Sequence, residues 1–119
     1  MAEKLSPRQQ AQLAILEPLG RRFEHLHRMI EEMAALRADE SLQRKLVRNL
    51  DEMKAQTTGI GLTGLAETLG MMAMLARRSG GLQMRVRGLR DGLASLKINY
   101  DGALRTANTP DGAATEGEG

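Results

Sequence analysis

The chain has 119 residues with 17 basic and 15 acidic side chains, which suits one domain with a modest core and no dominant charged tail. Because it contains no cysteine, disulfides, cysteine-held metals and thiol catalysis are excluded, and a reducing cytoplasm is the expected location. The N-terminal sequence lacks the apolar core of a signal peptide. One phenylalanine, one tyrosine and no tryptophan leave leucine, methionine and alanine as the main apolar residues, and these favour helices.

The first predicted helix follows residues 1–6, which we expect to be flexible. Ser6 and Gln9 have the spacing of a capping box, and Pro7 suits the first helical position. Apolar residues then recur every three or four positions, as they do on one face of a helix: Leu13, Leu16, Leu19, Phe23, Leu26, Ile30 and Met33.

Pro18 interrupts this apolar stripe. It has no N–H to donate to the carbonyl of Ala14, and its ring crowds that carbonyl. We therefore expect a kink or break near residues 14–18 and a strong helix over about 19–37.

The second predicted helix has a plausible N-cap at Asp39. Charged residues separate the members of its apolar stripe, which are Leu42, Leu46, Leu50 and Met53. Threonine and glycine dominate residues 57–61, where the periodicity slips. The sequence therefore predicts a break or kink there.

The third predicted helix is apolar or small on nearly every side. Its stripe consists of Leu62, Leu65, Leu69, Met72 and Ala76. Between Lys54 and Arg77 the only charged residue is Glu67, a pattern typical of a helix that is buried on most sides. The Ser-Gly-Gly sequence at residues 79–81 ends it.

The fourth predicted helix carries a heptad pattern, here called the seam: Leu82, Val86, Leu89, Leu93, Leu96, Tyr100 and Ala103. Three glycines weaken this helix, so it needs packing partners: Gly88, Gly92 and Gly102. Residues 106–119 contain no large apolar side chain, and we expect a disordered tail. The four stripes together predict an all-α, antiparallel three- or four-helix bundle over residues 7–105, with a heptad-patterned C-terminal helix.

The few polar candidates for a metal or catalytic site have simple structural explanations. His25 and His27 point roughly 200° apart on a helix and cannot share a metal. Glu24 and His27 have the Glu-x-x-His spacing of di-iron bundles, but no second such pair exists. Glu67 is a ligand or relay group if it is buried, and an ordinary structural residue if it lies at the exposed edge of its helix or pairs with an arginine of the fourth helix. We expect no enzymatic activity, no cofactor and no bound metal.

Five arginines within fourteen residues have no acid between them and form a candidate phosphate-binding stretch: Arg77, Arg78, Arg85, Arg87 and Arg90. The stretch has no aromatic residue, and the alternative is a solvated face at a helix–helix corner. Nearby, the sequence LAETLG at residues 65–70 resembles the first part of a repressor-type helix-turn-helix. That resemblance implies DNA binding, although the following MMAMLA lacks base-reading side chains.

A second resemblance concerns histidine phosphotransfer domains, which are four-helix bundles. Leucines and glycines of this chain have the spacing of that motif: Leu62, Gly64, Leu69 and Gly70. The position of the phosphorylated histidine is Ile60, and the lysine position is Thr63. The resemblance therefore implies a signalling adaptor that has lost its phosphotransfer chemistry and kept a docking surface.

The sequence favours a non-enzymatic helical-bundle adaptor that binds itself or another helical protein. The seam of the fourth helix and three methionines of the third helix are the candidate contact residues: Leu82, Val86, Leu89, Leu93, Leu96, Tyr100, Met71, Met72 and Met74. Ordinary core packing is the alternative for the methionines. Residues 57–76 are apolar enough to suggest a membrane span, but their four glycines, four threonines and Glu67 argue against one.

Overall fold

The computed structural model describes residues 4–36, 40–78 and 81–110. Within these ranges the chain forms four helices and no strand: α1 (Pro7–Leu36), α2 (Glu40–Thr58), α3 (Thr63–Arg77) and α4 (Leu82–Ala107). Each helix packs against the next, and α4 packs back against α1, so the helices close into a four-membered bundle. The all-α bundle predicted from the four stripes is confirmed.

Side-chain hydrogen bonds between helix ends show that neighbouring helices are antiparallel. Gln9, near the start of α1, donates to the carbonyl of Thr106 at the end of α4. Gln43, near the start of α2, donates to the carbonyl of Ala76 at the end of α3, with an N–O distance of 2.6 Å. The directions alternate around the bundle, as short connections between consecutive helices require.

The capping box at the start of α1 forms as predicted. The backbone N–H of Gln9 donates to Ser6 Oγ at 3.1 Å, and the backbone N–H of Ser6 donates to Gln9 Oε1 at 2.9 Å.

Of the kink or break predicted near residues 14–18, the break is wrong, because α1 continues through Pro18. A kink there stays a prediction. Leu16 and Leu19 are both buried on either side of the proline. Burying each leucine contributes about 1.5–3 kcal/mol, which offsets the roughly 3 kcal/mol cost of an internal proline. Ala14 and Pro18 are exposed, so the unpaired carbonyl lies on the side of α1 where water is available.

The predicted break at residues 57–61 is confirmed as the turn between α2 and α3. Gly61 has a φ of 76°, a left-handed conformation that glycine adopts without strain. The backbone N–H of Leu62 donates to the carbonyl of Thr57 at 2.9 Å and closes the turn. The proposed N-cap at Asp39 and the first two residues of the stop at 79–81 lie outside the described residues.

The core combines one buried stripe from each helix. Its fully buried large side chains include Leu16, Leu19, Leu26, Ile30, Met33, Leu46, Leu50, Met53, Leu65, Leu69, Met72 and Leu89. At the end of α4, Ala107 is also buried, and Gln9 bonds to the carbonyl of Thr109. α4 therefore continues to Ala107, two residues past the predicted boundary at residue 105. The predicted tail beyond residue 110 lies outside the described residues.

Candidate interaction surface

The seam of α4 faces the interior of the bundle. Leu89 and Leu96 are fully buried, and Val86 and Leu93 are nearly so, while Leu82 and Tyr100 are half-buried against the same core. The chain's own helices thus occupy the residues that the heptad pattern indicated for a partner. A partner could reach them only by displacing part of the core.

Tyr100 illustrates how closely the seam fits this chain. Its hydroxyl donates to the carbonyl of Leu16 at 2.8 Å, and its ring meets Phe23 edge-on with centroids 4.9 Å apart. A Cβ at Gly20 would lie 2.6 Å from the hydroxyl oxygen, so only glycine allows this approach. Burial raises the pKa of Tyr100 above its ordinary value. These contacts join α4 to α1 and give Tyr100 a structural role.

The three candidate methionines separate into two groups. Met72 is fully buried, and a Cβ at Gly92 would lie 2.7 Å from its Cγ, so it is a core residue. Met71 and Met74 are 65% and 59% exposed. The third helix, which was expected to be buried on most sides, therefore leaves one face to solvent, and Met71 and Met74 lie on that face.

Three exposed residues of that outer face and the C-cap residue that follows α3 are spaced by four, three and four positions: Glu67, Met71, Met74 and Arg78. This set is called the methionine stripe below. Residues at these spacings are neighbours on a helix surface. Isolated exposed hydrophobic residues are ordinary, whereas adjacent ones form a patch that favours contact with another protein.

Two further large apolar side chains of the described residues are exposed, and both lie on α4. Met84 is 80% exposed and Ile98 is 72% exposed. None of the exposed large hydrophobic residues lies on the described parts of α1 or α2. Met84 and Ile98 fall between members of the seam, so the heptad pattern did not single them out. An apolar residue on the helix face opposite a heptad stripe is the sequence signal that could have identified them.

The five arginines lie at the end of α3 and in the first half of α4. Arg77 pairs with Asp51 of α2, and Arg90 forms two hydrogen bonds of 2.7 and 2.8 Å with Glu31 of α1. The hydrogen bonds from Arg90 hold the pKa of Glu31 below its ordinary value. Arg85 is buried, which leaves only Arg78 and Arg87 exposed without an ion pair to a described residue. Phosphate binding by this stretch therefore stays a prediction, with Arg77 and Arg90 already engaged by acidic side chains of the same chain.

The residues that carry the two sequence resemblances lie in α3 and in the turn before it. Residues 65–70, which resemble the start of a helix-turn-helix, lie inside α3, and the helix continues to Arg77 without the turn that such a motif requires. Ile60, at the phosphohistidine position, is half-buried in the turn before α3. Thr63 begins the helix and is exposed, whereas Leu62 and Leu69 belong to the core.

A cleft of about 340 Å³ opens between the start of α1, the α2–α3 turn and the end of α4. Arg8 lies at its edge, close to Gly61. The two buried amides in its wall are already occupied, because Gln9 binds carbonyls at the end of α4 and Gln12 binds the carbonyl of Ile60 at 3.1 Å. Hydrogen bonds within the chain thus join the three segments that line the cleft.

Across the ranges that the structure describes, no three acidic or histidine side chains come together to hold a metal ion. His25, His27 and Glu67 are all exposed. None of the four described helices combines the length and apolar character needed to span a bilayer.

Comparison with known proteins gives no match to a family model, to a curated protein or to a solved structure. The methionine stripe is a surface feature that packing within the bundle does not explain.

Proposed function

We propose that this chain is a non-enzymatic interaction protein that binds a helical partner, itself included, through the methionine stripe of α3. The observation that carries the proposal is the exposure of Met71 and Met74 side by side on a helix whose opposite face is already buried in the core. Methionine is flexible and polarizable, so it adapts to the side chains of a partner helix. Pairs spaced like these are the anchors with which helices dock.

The position of the stripe within the bundle also supports the proposal. The inner face of α3 packs against α2 and α4, so α3 is held rigidly while its outer methionines remain accessible. A contact made there needs no rearrangement of the core. In contrast, a contact made through the seam would need α4 to leave α1 and α3.

A photo-crosslinking amino acid placed at position 71 tests the proposal in the cells that make this protein. The expected result is a defined covalent adduct, either with a second copy or with another protein. The matched control carries the same amino acid at Arg48, which is exposed on α2. Equal adducts at both positions, or no adduct at position 71, would contradict the proposal.

A further inference from the structure

The methionine stripe has opposite charges at its two ends. Glu67 lies at the end nearer the start of α3, Met71 and Met74 lie in the middle, and Arg78 follows the last turn as the C-cap residue. The order along the helix is therefore acidic, apolar, apolar, basic.

This order is complementary to itself when it is reversed. In an antiparallel pair of α3 helices centred between Met71 and Met74, each Met71 lies opposite the second copy's Met74. Because the spacing is four residues at each end, the same register places each Glu67 opposite the second copy's Arg78. Glu67 and Arg78 are eleven positions apart in the sequence, or roughly 16 Å along a helix axis, so both charge contacts form together.

The two charges at the ends of the stripe are available for such contacts. Among the described residues, Arg22, Arg77 and Arg90 form ion pairs with Glu52, Asp51 and Glu31. Neither Glu67 nor Arg78 has an ion-pair partner within that part of the chain. Both side chains are exposed beside the methionines.

We infer that the partner of the methionine stripe is the same stripe of a second copy, packed antiparallel about a twofold axis. Such an interface is isologous: each contact occurs twice, and a face complementary to itself satisfies both copies at once. The inference rests on the proposed function, since it requires the stripe to be a contact surface. It goes further by naming the partner, the register and the residues that set it.

Charge reversal gives a direct test by sedimentation analysis of the purified chain. The unmodified protein is expected to dimerise in the micromolar range. The variant Glu67→Arg places Arg opposite Arg twice, and Arg78→Glu places Glu opposite Glu twice. Each single variant is expected to weaken dimerisation at least about tenfold, because facing like charges repel across an interface.

The decisive measurement mixes the two single variants in equal amounts. In the mixed pair, both basic ends of one variant lie opposite both acidic ends of the other, so dimerisation is expected to return. The double variant Glu67→Arg with Arg78→Glu restores opposite charges within one chain and is also expected to dimerise. Arg48→Glu on α2 is the matched control and is expected to dimerise like the unmodified chain. Circular dichroism checks that every variant folds.

The outcomes separate this inference from the proposed function. A monomer at high micromolar concentration overturns the self-pairing, and so does a mixture of single variants that remains monomeric. If position 71 nevertheless crosslinks to a different protein, the stripe is a contact surface with another occupant and the proposed function stands. If position 71 gives no adduct with any protein, the proposed function fails as well.

Discussion

The neighbouring helices α2 and α3 bury similar stripes but differ on their outer faces. α2 carries seven charged residues among its 19: Glu40, Arg44, Lys45, Arg48, Asp51, Glu52 and Lys54. α3 carries two charged residues among its 15, and exposes methionine instead. Both helices contribute leucines and a methionine to one core. The inner faces thus account for the fold, and the difference between the outer faces is the observation on which the proposed contact through α3 rests.

The prediction with the largest expected effect is that the inner faces of α2 and α3 contribute similarly to the free energy of unfolding. Leu46 of α2 and Leu69 of α3 are both fully buried. Replacing either with alanine should lower the free energy of unfolding by about 2–5 kcal/mol, because burial is lost and a cavity remains. Denaturant titration followed by circular dichroism measures both. A loss below about 1 kcal/mol at Leu69 alone would mean that α3 is not part of the cooperative core.

Much of this fold could be predicted from the sequence because the signals are local. The capping box at Ser6, the turn at residues 57–61 and the four apolar stripes each depend on residues within one or two helical turns. The continuity of α1 could not be predicted in the same way. The cost of Pro18 is local, whereas the burial that offsets it comes from the other helices.

For the candidate contact residues, the sequence limits the prediction in a different way. A heptad pattern indicates that the seam packs against other helices, but the spacing is the same whether those helices belong to this chain or to a second one. Likewise, the near absence of charge in the third helix predicted burial on most sides. The structure buries Met72 and exposes Met71 and Met74, a distinction set by the position of the neighbouring helices.

A second prediction concerns the side of α3 that faces α4. A Cβ at Gly92 would lie 2.7 Å from Met72 Cγ, whereas Gly102 has no such neighbour within 4 Å. We expect Gly92→Ala to lower the free energy of unfolding by about 1–3 kcal/mol through overpacking. Gly102→Ala should raise it by about 0.5–1 kcal/mol, since alanine favours helices. The same denaturant titration measures both variants. If both substitutions changed the free energy of unfolding by the same amount and in the same direction, Met72 would not be tightly packed against Gly92.

A third prediction concerns the outer faces. Replacing Met71 and Met74 together with glutamine should change the free energy of unfolding by no more than about 0.5 kcal/mol, as expected for surface positions. The same change should abolish dimerisation in light scattering, because the apolar centre of the contact is lost. Replacing Arg44 and Arg48 of α2 with glutamine is the control and should leave both properties unchanged. Dimerisation that survives the methionine substitutions would place the contact elsewhere.

The smallest expected effect concerns the ion pair between α1 and α4. Arg90 donates two hydrogen bonds to the carboxylate of Glu31 and holds the pKa of Glu31 below its ordinary value. A carboxyl group whose pKa is lower in the folded state stabilises the fold above its unfolded pKa, and this contribution is lost as the pH falls through the folded pKa. Glu31→Gln should therefore make the protein slightly less stable at neutral pH and reduce the loss of stability on acidification. Because the pair is solvent-exposed, the effect should also shrink with added salt. Thermal unfolding at neutral and acidic pH measures it, and an unchanged pH profile would show that the pair contributes nothing.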